Sequence, residues 1–380
     1  MAKKQYTNVG KNPYKKYLRK PFDPDTLPAK FWQDLAGWKD SAFQARALGE
    51  VAEVWEETIK RPKMLNFLGF AGSMSSAGMW PGIRWLIKNR MVDVLVSTSA
   101  NITEDIYEAL GHKYWKVDPW FVDDKDLLDH WMDRFYDHAA DEVSYRKMEM
   151  TVIKFLRELN SSLKQRTIYP TWRLLYELGL WLSKRKIKSI LAVAAENKIP
   201  VFCPGLVDSG FGEAYVWALQ HIPKSERMLV IEQFWDAEDI FSIAEWALNH
   251  KREKTAGYIG GGVPKDFIQL VAVSQALLRP DGDEAESVRL TGGSDEAVYP
   301  YKYSFQITAD SPQWGGLSGC GVMTEPISWG KQANGGRNAQ VFVDATIALR
   351  IILRGFKEKK LKRKDPPNLS WFFEQKPLEA

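Results

Sequence analysis

The sequence predicts an α/β protein built around a doubly wound, mainly parallel sheet, with helical additions at the N-terminus and in the middle of the chain. Short apolar runs alternate with segments of helical periodicity, a pattern typical of parallel α/β sheets. Several runs end in loops rich in glycine and hydroxyl side chains, which is where open parallel sheets bind ligands. The chain has 380 residues, 45% of them hydrophobic, so it can bury the core of such a Rossmann-like sheet.

The predicted elements alternate along most of the chain. Phe43–Lys60 has apolar side chains at helical spacing and is expected to be a helix. Strands are expected at residues 64–70, 92–96, 200–202, 228–231, 256–259, 303–307 and 340–343. Helices are expected at residues 79–89, 104–110 and 344–356. The alternation pauses at about residues 115–198, which are charged and mostly helical in pattern.

These patterns divide the chain into three parts. Residues 1–62 are expected to form a basic arm and a helical segment, residues 63–356 the catalytic α/β domain with its insert, and residues 357–380 a basic tail. The first eight residues of that tail contain five lysines and one arginine. We interpret this run as a solvated helix end, because cations complement the dipole at a helix C-terminus; contact with nucleic acid is the alternative.

The bulk composition excludes several classes of protein. The net charge of +4 is too small to predict a nucleic-acid-binding protein. The chain has two cysteines, which predict no disulfide framework and fit a reducing compartment. The sequence shows neither a signal-peptide pattern nor an apolar run long enough to cross a membrane, so we expect a cytoplasmic protein. The five histidines lie away from the strand ends, so we expect no metal site.

Two loops after predicted strands are suited to a nucleotide. Gly72, Ser73 and Ser76 follow the first strand, where glycine lets the backbone approach a ligand and a phosphate could sit at the next helix N-terminus. The pattern is not G-x-G-x-x-G, so a tight turn with close packing is the alternative. Thr98 and Glu104 follow the second strand, although Glu104 could instead sit in a first helical turn for dipole reasons.

Carboxylates and one lysine complete the candidate chemistry. Asp208 and Glu213 lie in a glycine-rich loop after a strand, and Asp266 follows a triple glycine at residues 260–262. Lys331 follows Trp329 and Glu325 in a glycine-rich stretch. A lysine in a desolvated pocket has a lowered pKa and can form an imine, although an ordinary lysine is the alternative.

Together these stretches resemble the deoxyhypusine synthase family over about residues 43–348. The resemblance rests on residues 42–45, 91–98, 199–208, 259–263, 328–331 and 341–345, in the family's order and at about its spacing. The tetrad Ser328-Trp329-Gly330-Lys331, with Glu325 six residues before the lysine, is its most specific part.

The resemblance implies an NAD-dependent transfer of the 4-aminobutyl group of spermidine. In that chemistry NAD takes a hydride from spermidine, the resulting imine loses 1,3-diaminopropane, and the four-carbon fragment becomes an imine on Lys331. An acceptor amine then displaces the fragment, and the product is reduced. In the main branch of the family the acceptor is one lysine of the hypusine-containing translation factor. Family members are homotetramers with active sites shared between subunits.

The resemblance also implies roles for individual residues. The catalytic group is Lys331 with Glu325 and Trp329, and the same three residues contact the polyamine together with Glu213 and Asp266. A pocket lined by Trp329 is expected to lower the pKa of Lys331. The residues expected near NAD are Gly72, Ser73, Ser76, Thr98, Glu104, Asp208, Thr308, Ala309, Gly316, Ser318 and Asp344.

Departures from the family pattern leave the substrate open. Asp266 stands where the family has histidine, Ser318 where it has an acidic residue, and Glu213 where it usually has aspartate. The stretch Ala71-Gly72-Ser73 replaces a common Thr-Ser-Asn. These changes resemble a divergent prokaryotic branch, so a homospermidine synthase with putrescine as acceptor is the alternative enzyme. A catalytically silent scaffold or regulatory paralogue is the alternative of another class. The basic N-terminal arm is a candidate to cover the mouth of the pocket.

Overall fold

A computed structural model describes residues 28–278 and 299–379 of the chain. The basic arm predicted at residues 3–20 therefore lies outside the described residues. Six parallel strands form the central sheet in the order β11-β10-β9-β1-β2-β7. Their bounds are Met64–Phe70 (β1), Val94–Ser97 (β2), Val201–Phe202 (β7), Glu253–Ile259 (β9), Tyr301–Thr308 (β10) and Gln332–Phe342 (β11).

The register aligns the carboxyl ends of five of these strands along one edge of the sheet. Phe70 lies opposite Ser97 on one side and Ile259 on the other, and Ile307 lies opposite Ile259. Thr308 pairs with Phe342 at the end of β11. All seven residues of β1 are buried, which is the pattern of a strand covered on both faces.

Helices cover both faces of the sheet, which confirms the predicted doubly wound α/β architecture. One face buries apolar side chains of α2 (Phe43–Lys60), α3 (Trp80–Lys88) and α12 (Ala345–Glu358); Trp55, for example, stacks on Phe305 of β10 with ring centroids 4.5 Å apart. The other face buries side chains of α10 (Trp235–Asn249) and α11 (Gly262–Ser274). The other α-helices of the described residues are α1 (Phe31–Gly37), α4 (Ser99–Ala109), α5 (Asp124–Asp129), α6 (Glu142–Ser162), α7 (Thr171–Lys184), α8 (Ile190–Glu196), α9 (Gly210–Leu219) and α13 (Ser370–Phe373).

Two small sheets depart from the sequence prediction. Inside the helical insert, β3 (Tyr114–Lys116), β4 (Met132–Phe135) and β5 (His138–Asp141) form an antiparallel sheet that periodicity did not reveal, because each strand has four residues or fewer. The strand predicted at residues 228–231 forms as β8 (Leu229–Ile231), but it pairs with β6 (Thr167–Tyr169). Placing it in the alternation of the main sheet was therefore wrong. β6 also pairs with β12 (Leu378–Glu379).

The segment after α12 packs against the main body of the fold. Leu369, Phe372 and Phe373 are buried in the cluster on the α10–α11 face of the sheet. The side chain of Arg363 is 1% exposed and forms an ion pair with Asp93. Arg363 is thus an exception to the interpretation of residues 357–364 as a solvated run. No helix of the described ranges has the length and apolar character needed to cross a membrane.

Candidate functional site

The carboxyl ends of β1 and β2 carry a compact polar cluster. Gly72 turns the chain with φ +70°, and its carbonyl accepts a hydrogen bond from Thr98 Oγ1 at 3.0 Å. The amide of Ser76 donates to Glu104 Oε2 at 3.0 Å, and the Ser73 hydroxyl donates to the other oxygen of the same carboxylate. Five residues predicted to contact a nucleotide are therefore brought together here.

Glu104 is the buried centre of this cluster. It is the sixth residue of α4, so the alternative that it sits in a first helical turn to complement the dipole is wrong. Burial raises the pKa of the Glu104 carboxyl to about 7, although its hydrogen bonds to Ser73 and Ser76 favour the charged form. In its ionised form, the Glu104 carboxylate can accept hydrogen bonds from the hydroxyls of a ligand, beside the hydroxyls of Ser73 and Ser76.

A second group lies along the same edge, at the ends of β10 and β11. Thr308 is buried and its hydroxyl accepts the amide of Asp310 at 3.1 Å, while Ala309 is exposed. Asp344 caps α12 by accepting the amide of Thr346 at 2.8 Å. These three predicted residues therefore border the ends of adjacent strands, and one of them has a capping role that sequence analysis did not identify.

Lys331 lies in a third place, a cleft of about 260 Å³ bordered by Gln269, Gly316, Glu325 and Trp329. Its Nζ forms an ion pair with Asp266 Oδ1 at 2.8 Å and lies 3.5 Å from Gln269 Oε1. Its backbone precedes β11 and so lies at the amino end of that strand. The side chain reaches α11, whose second turn supplies both oxygen partners.

The surroundings of Lys331 differ from the expected apolar pocket. The side chain of Lys331 is 15% exposed, but Trp329 is 70% exposed, so the tryptophan does not enclose the amine. The indole ring centroid lies 5.5 Å from Nζ, within the range of a cation–π contact. Glu325 instead accepts the amide of Gly321 at 3.0 Å, which fixes the turn that follows Cys320. The nearest anionic partner of Lys331 is therefore Asp266.

A buried polar network lies beneath this cleft and was missed by sequence reasoning. Lys265 is fully buried and donates to Gln306 Oε1 at 3.0 Å. The Gln306 amide nitrogen in turn donates to the carbonyl of Ser318 at 2.7 Å. Gly261 is required here, because a Cβ at this position would lie 2.5 Å from Cα of Ser318. Lysine and glutamine at single positions give no sequence signal of such a network.

Asp208 and Glu213 lie in a fourth place, after β7 at the far end of the sheet. Glu213 Oε2 accepts Arg146 at 2.8 Å, and the same guanidinium contacts Glu149 of α6 at 2.6 Å. Glu213 borders a separate apolar cleft of about 660 Å³, whose lining includes the exposed side chains of Val207 and Val216. Within one chain, β2, β1 and β9 lie between this strand and β10, so these carboxylates are not brought to Lys331.

Potential metal ligands do not cluster in the parts of the chain that the structure describes. There, no group of three or more histidine, cysteine, aspartate or glutamate side chains is arranged to hold a metal ion.

Comparison with known proteins gives consistent matches over most of the chain. A family model described as deoxyhypusine synthase matches residues 35–356. A "Probable deoxyhypusine synthase 2" from Methanosarcina acetivorans is 37% identical over 337 residues, covering 87% of this chain and 88% of that protein. A protein with the same description from Archaeoglobus fulgidus is 35% identical over 316 residues, covering 83% and 94%.

Two further matches mark the breadth of the similarity. A "Deoxyhypusine synthase-like protein" from Chlorobaculum tepidum is 31% identical over 346 residues and 90% of each chain. Among solved structures, "a putative deoxyhypusine synthase from Entamoeba histolytica" superposes with a TM-score of 0.60 at 15% identity, covering 92% of this chain and 100% of that one. At that identity the structural match supports the α/β fold alone.

Proposed function

The chain belongs to the deoxyhypusine synthase family, and from that premise we propose that it is an NAD-dependent aminobutyl transferase acting on spermidine. The observation that supports this most directly is the largely buried Lys331, ion-paired to Asp266 in a cleft bordered by Glu325 and Trp329. A lysine amine in a protected cleft is the group that imine chemistry requires.

The cluster at the ends of β1 and β2 fits NAD. Gly72 allows close backbone approach, while Ser73, Ser76 and Glu104 offer hydroxyls and a buried carboxylate to ribose hydroxyls. Thr308 and Asp344 lie along the same edge of the sheet and would border the other end of an extended dinucleotide. When bound, NAD supplies the hydride acceptor for oxidation of the donor amine.

At Lys331 the reaction needs a neutral amine. The amine adds to the imine carbon of the oxidised donor, and the bond from that carbon to the departing nitrogen breaks as 1,3-diaminopropane takes up a proton. Asp266, 2.8 Å from Nζ, is placed to accept the proton of the Lys331 ammonium. An ammonium group of the polyamine can then replace Lys331 as the partner of Asp266, because both are amine cations of similar geometry.

The separation of Glu213 from Lys331 supports an active site shared between subunits. Adjacent strands lie about 4.8 Å apart, so four strand spacings place β7 roughly 19 Å from β10 in one chain. A polycation needs carboxylates at both ends, and a second copy could bring its Asp208 and Glu213 to the cleft of the first. The exposed apolar side chains beside Glu213 fit such a subunit contact. We therefore propose the family's homotetramer for this chain.

We propose a lysine of the hypusine-containing translation factor as the acceptor, and the description of two relatives as probable deoxyhypusine synthases supports this choice. The experiment is product analysis by mass spectrometry after incubation with NAD and spermidine, with either the candidate translation factor or putrescine. Release of 1,3-diaminopropane with a modified protein lysine is expected. Homospermidine with an untouched protein would instead establish the alternative acceptor, and no 1,3-diaminopropane under any condition would overturn the proposed activity.

Variants of Lys331 test the covalent step. Lys331→Ala is expected to abolish transfer while leaving the fold and NAD binding intact, because the side chain lies in the cleft and not in the NAD cluster. Lys331→Arg keeps a cation beside Asp266 but cannot form the imine. Lys302→Ala is the matched control, since Lys302 is an exposed lysine on β10 outside the cleft. Product formation by Lys331→Ala at the control's rate would sink the covalent mechanism.

A further inference from the structure

We infer that Lys265 is a positioning residue: its buried amine, together with Gln306, fastens the segment at residues 316–320 so that Glu325 and Trp329 are held beside Lys331. The catalytic part of this inference rests on the proposed function. The structural part does not, because it concerns how one segment of the chain is held.

The geometry around Lys265 joins three separate elements. Lys265 lies in the first turn of α11 and donates to the side chain of Gln306 on β10. The amine of Lys265 also donates to the carbonyls of Leu317, at 3.4 Å, and Cys320. Gln306 adds two hydrogen bonds from its amide nitrogen, to the carbonyls of Gly260 at 3.0 Å and Ser318 at 2.7 Å. The side chains of Lys265 and Gln306 therefore hold the segment at residues 316–320 through three of its backbone carbonyls.

The next residue along α11 faces the chemistry. Lys265 points into the protein beneath the cleft, while Asp266 pairs with Lys331 within it. Loss of the Lys265 contacts would release the turn at Gly321, whose amide is held by Glu325. A displacement of this kind changes the position of Glu325 relative to the amine, although neither Lys265 nor Gln306 borders the cleft itself.

The protonation state of Lys265 matters because of its number of donors. An ammonium has three N–H donors for these three oxygens, whereas a neutral amine has only two. Burial lowers the pKa of Lys265 to about 8. The carboxylates of Glu325 and Asp266 oppose this shift and the charge of Lys331 assists it, while the nearby Cys320 is a thiol whose own pKa burial raises. Tyr258 also lies beside Lys265, with its ring centroid 5.8 Å from Nζ. As pH rises through about 8, one acceptor should lose its donor and the segment should loosen.

The chain offers a matched control in Lys254. This second buried lysine is the second residue of β9, whereas Lys265 follows the carboxyl end of that strand. Lys254 donates to Gln275, and burial lowers its pKa to about 7. Lys254→Met and Lys265→Met therefore remove the same group from two buried positions. Only Lys265→Met should affect the Lys331 cleft.

The test measures amide hydrogen exchange of residues 316–322 and the kinetics of 1,3-diaminopropane release. In Lys265→Met, exchange in this segment should rise and kcat should fall about 100-fold, as expected for a misplaced catalytic group, whereas Lys254→Met should stay close to the wild type in both. The kcat of the wild type should decline above pH 8, where Lys265 becomes neutral. Lys265→Arg stays charged, so its kcat should be higher than that of Lys265→Met and should show no such decline.

Each outcome decides the inference. Unchanged exchange at residues 316–322 in Lys265→Met overturns it whether or not the protein is an aminobutyl transferase. A wild type without 1,3-diaminopropane release refutes the proposed function alone, since the exchange measurement still stands. If Lys265→Met does not fold, exchange in the wild type below and above pH 8, corrected for the intrinsic pH dependence, decides the question: a segment that does not loosen contradicts the role of the amine.

Discussion

Arg363→Met is expected to destabilise the protein strongly, because it removes the cation that neutralises a buried aspartate. Asp93 lies just before β2, and its Oδ2 accepts Arg363 at 2.9 Å and the amide of Asn66 at 2.7 Å. The two side chains are 1% and 0% exposed. Arg363 also donates to the carbonyls of Met64 and Arg90, at 2.7 and 3.2 Å, and so ties the C-terminal segment to the start of the sheet.

The magnitude follows from the cost of a buried unpaired charge. Removing one partner of a buried ion pair costs about 3–5 kcal/mol in the free energy of unfolding, and two carbonyls lose a donor as well. Domains are stabilised by only about 5–15 kcal/mol, so the variant should be folded but marginal. An exposed pair gives the contrast: Arg46→Met, at an arginine paired to Glu50 on the surface of α2, should cost less than about 1 kcal/mol.

The pH dependence has a definite sign. Burial raises the pKa of Asp93 above its ordinary value even with Arg363 in place. A carboxyl whose pKa is higher in the folded than in the unfolded protein binds more protons when folded, so its contribution favours folding as pH falls. Without Arg363, the pKa of Asp93 in the folded protein should rise further above its value in the unfolded protein. The free energy of unfolding that Arg363→Met loses relative to the wild type should therefore become smaller as pH falls.

Urea unfolding followed by far-ultraviolet circular dichroism, at neutral pH and near pH 5, would measure both effects through the midpoint and slope. The double variant Asp93→Asn with Arg363→Met should recover much of the loss, since asparagine can still accept the amide of Asn66 without burying a charge. The reasoning is refuted if Arg363→Met costs no more than Arg46→Met, or if its deficit grows as pH falls.

Two further predictions concern the candidate site. NAD binding measured by calorimetry should weaken as pH falls through about 7, because protonation of Glu104 removes a hydrogen-bond acceptor. Glu104→Gln should bind NAD more weakly than the wild type, and its affinity should not change at this pH. The same pH dependence in the variant would contradict the assignment of Glu104 to NAD. Asp266→Asn should lower kcat for 1,3-diaminopropane release, because it removes the proton acceptor of Lys331. Asp266→His introduces the residue of the family pattern and should retain more activity than Asp266→Asn. Equal rates in both variants and the wild type would rule out a role for residue 266.

The strands and site loops were predictable because local sequence determines them. β1 is apolar except at Asn66, and the second half of β9, residues 256–259, carries no polar side chain other than the hydroxyl of Tyr258. Each strand is followed by a glycine, Gly72 or Gly260, that adopts positive φ in the structure. Such signals depend on a few neighbouring residues, and the structure confirms them. The cap of α12 by Asp344 follows from the same local logic, although sequence analysis assigned that residue only to a ligand.

Contacts between distant residues were not predictable from local patterns. The ion pair between Lys331 and Asp266 joins positions 65 residues apart, and the Lys265 network joins helix, strand and loop. Each depends on which strands become neighbours, and the strand order places β9 beside β1 although more than 180 residues separate them in the sequence. A lysine in an amphipathic helix looks the same in sequence whether it faces water or a ring of carbonyls.

The same limitation explains why sequence analysis placed Glu213 and Asp266 together in one polyamine site. Chain order shows that Glu213 and Asp266 both follow predicted strands, but it does not show that β7 and β9 are separated by two strands of the sheet. Glu213 is consequently neutralised by Arg146, whereas Asp266 is neutralised by Lys331. A polyamine that bridges these two anions must draw each away from an existing cation. Because one chain holds the two anions apart, such bridging requires the surfaces of two chains, and the affinity for polyamine should depend on assembly.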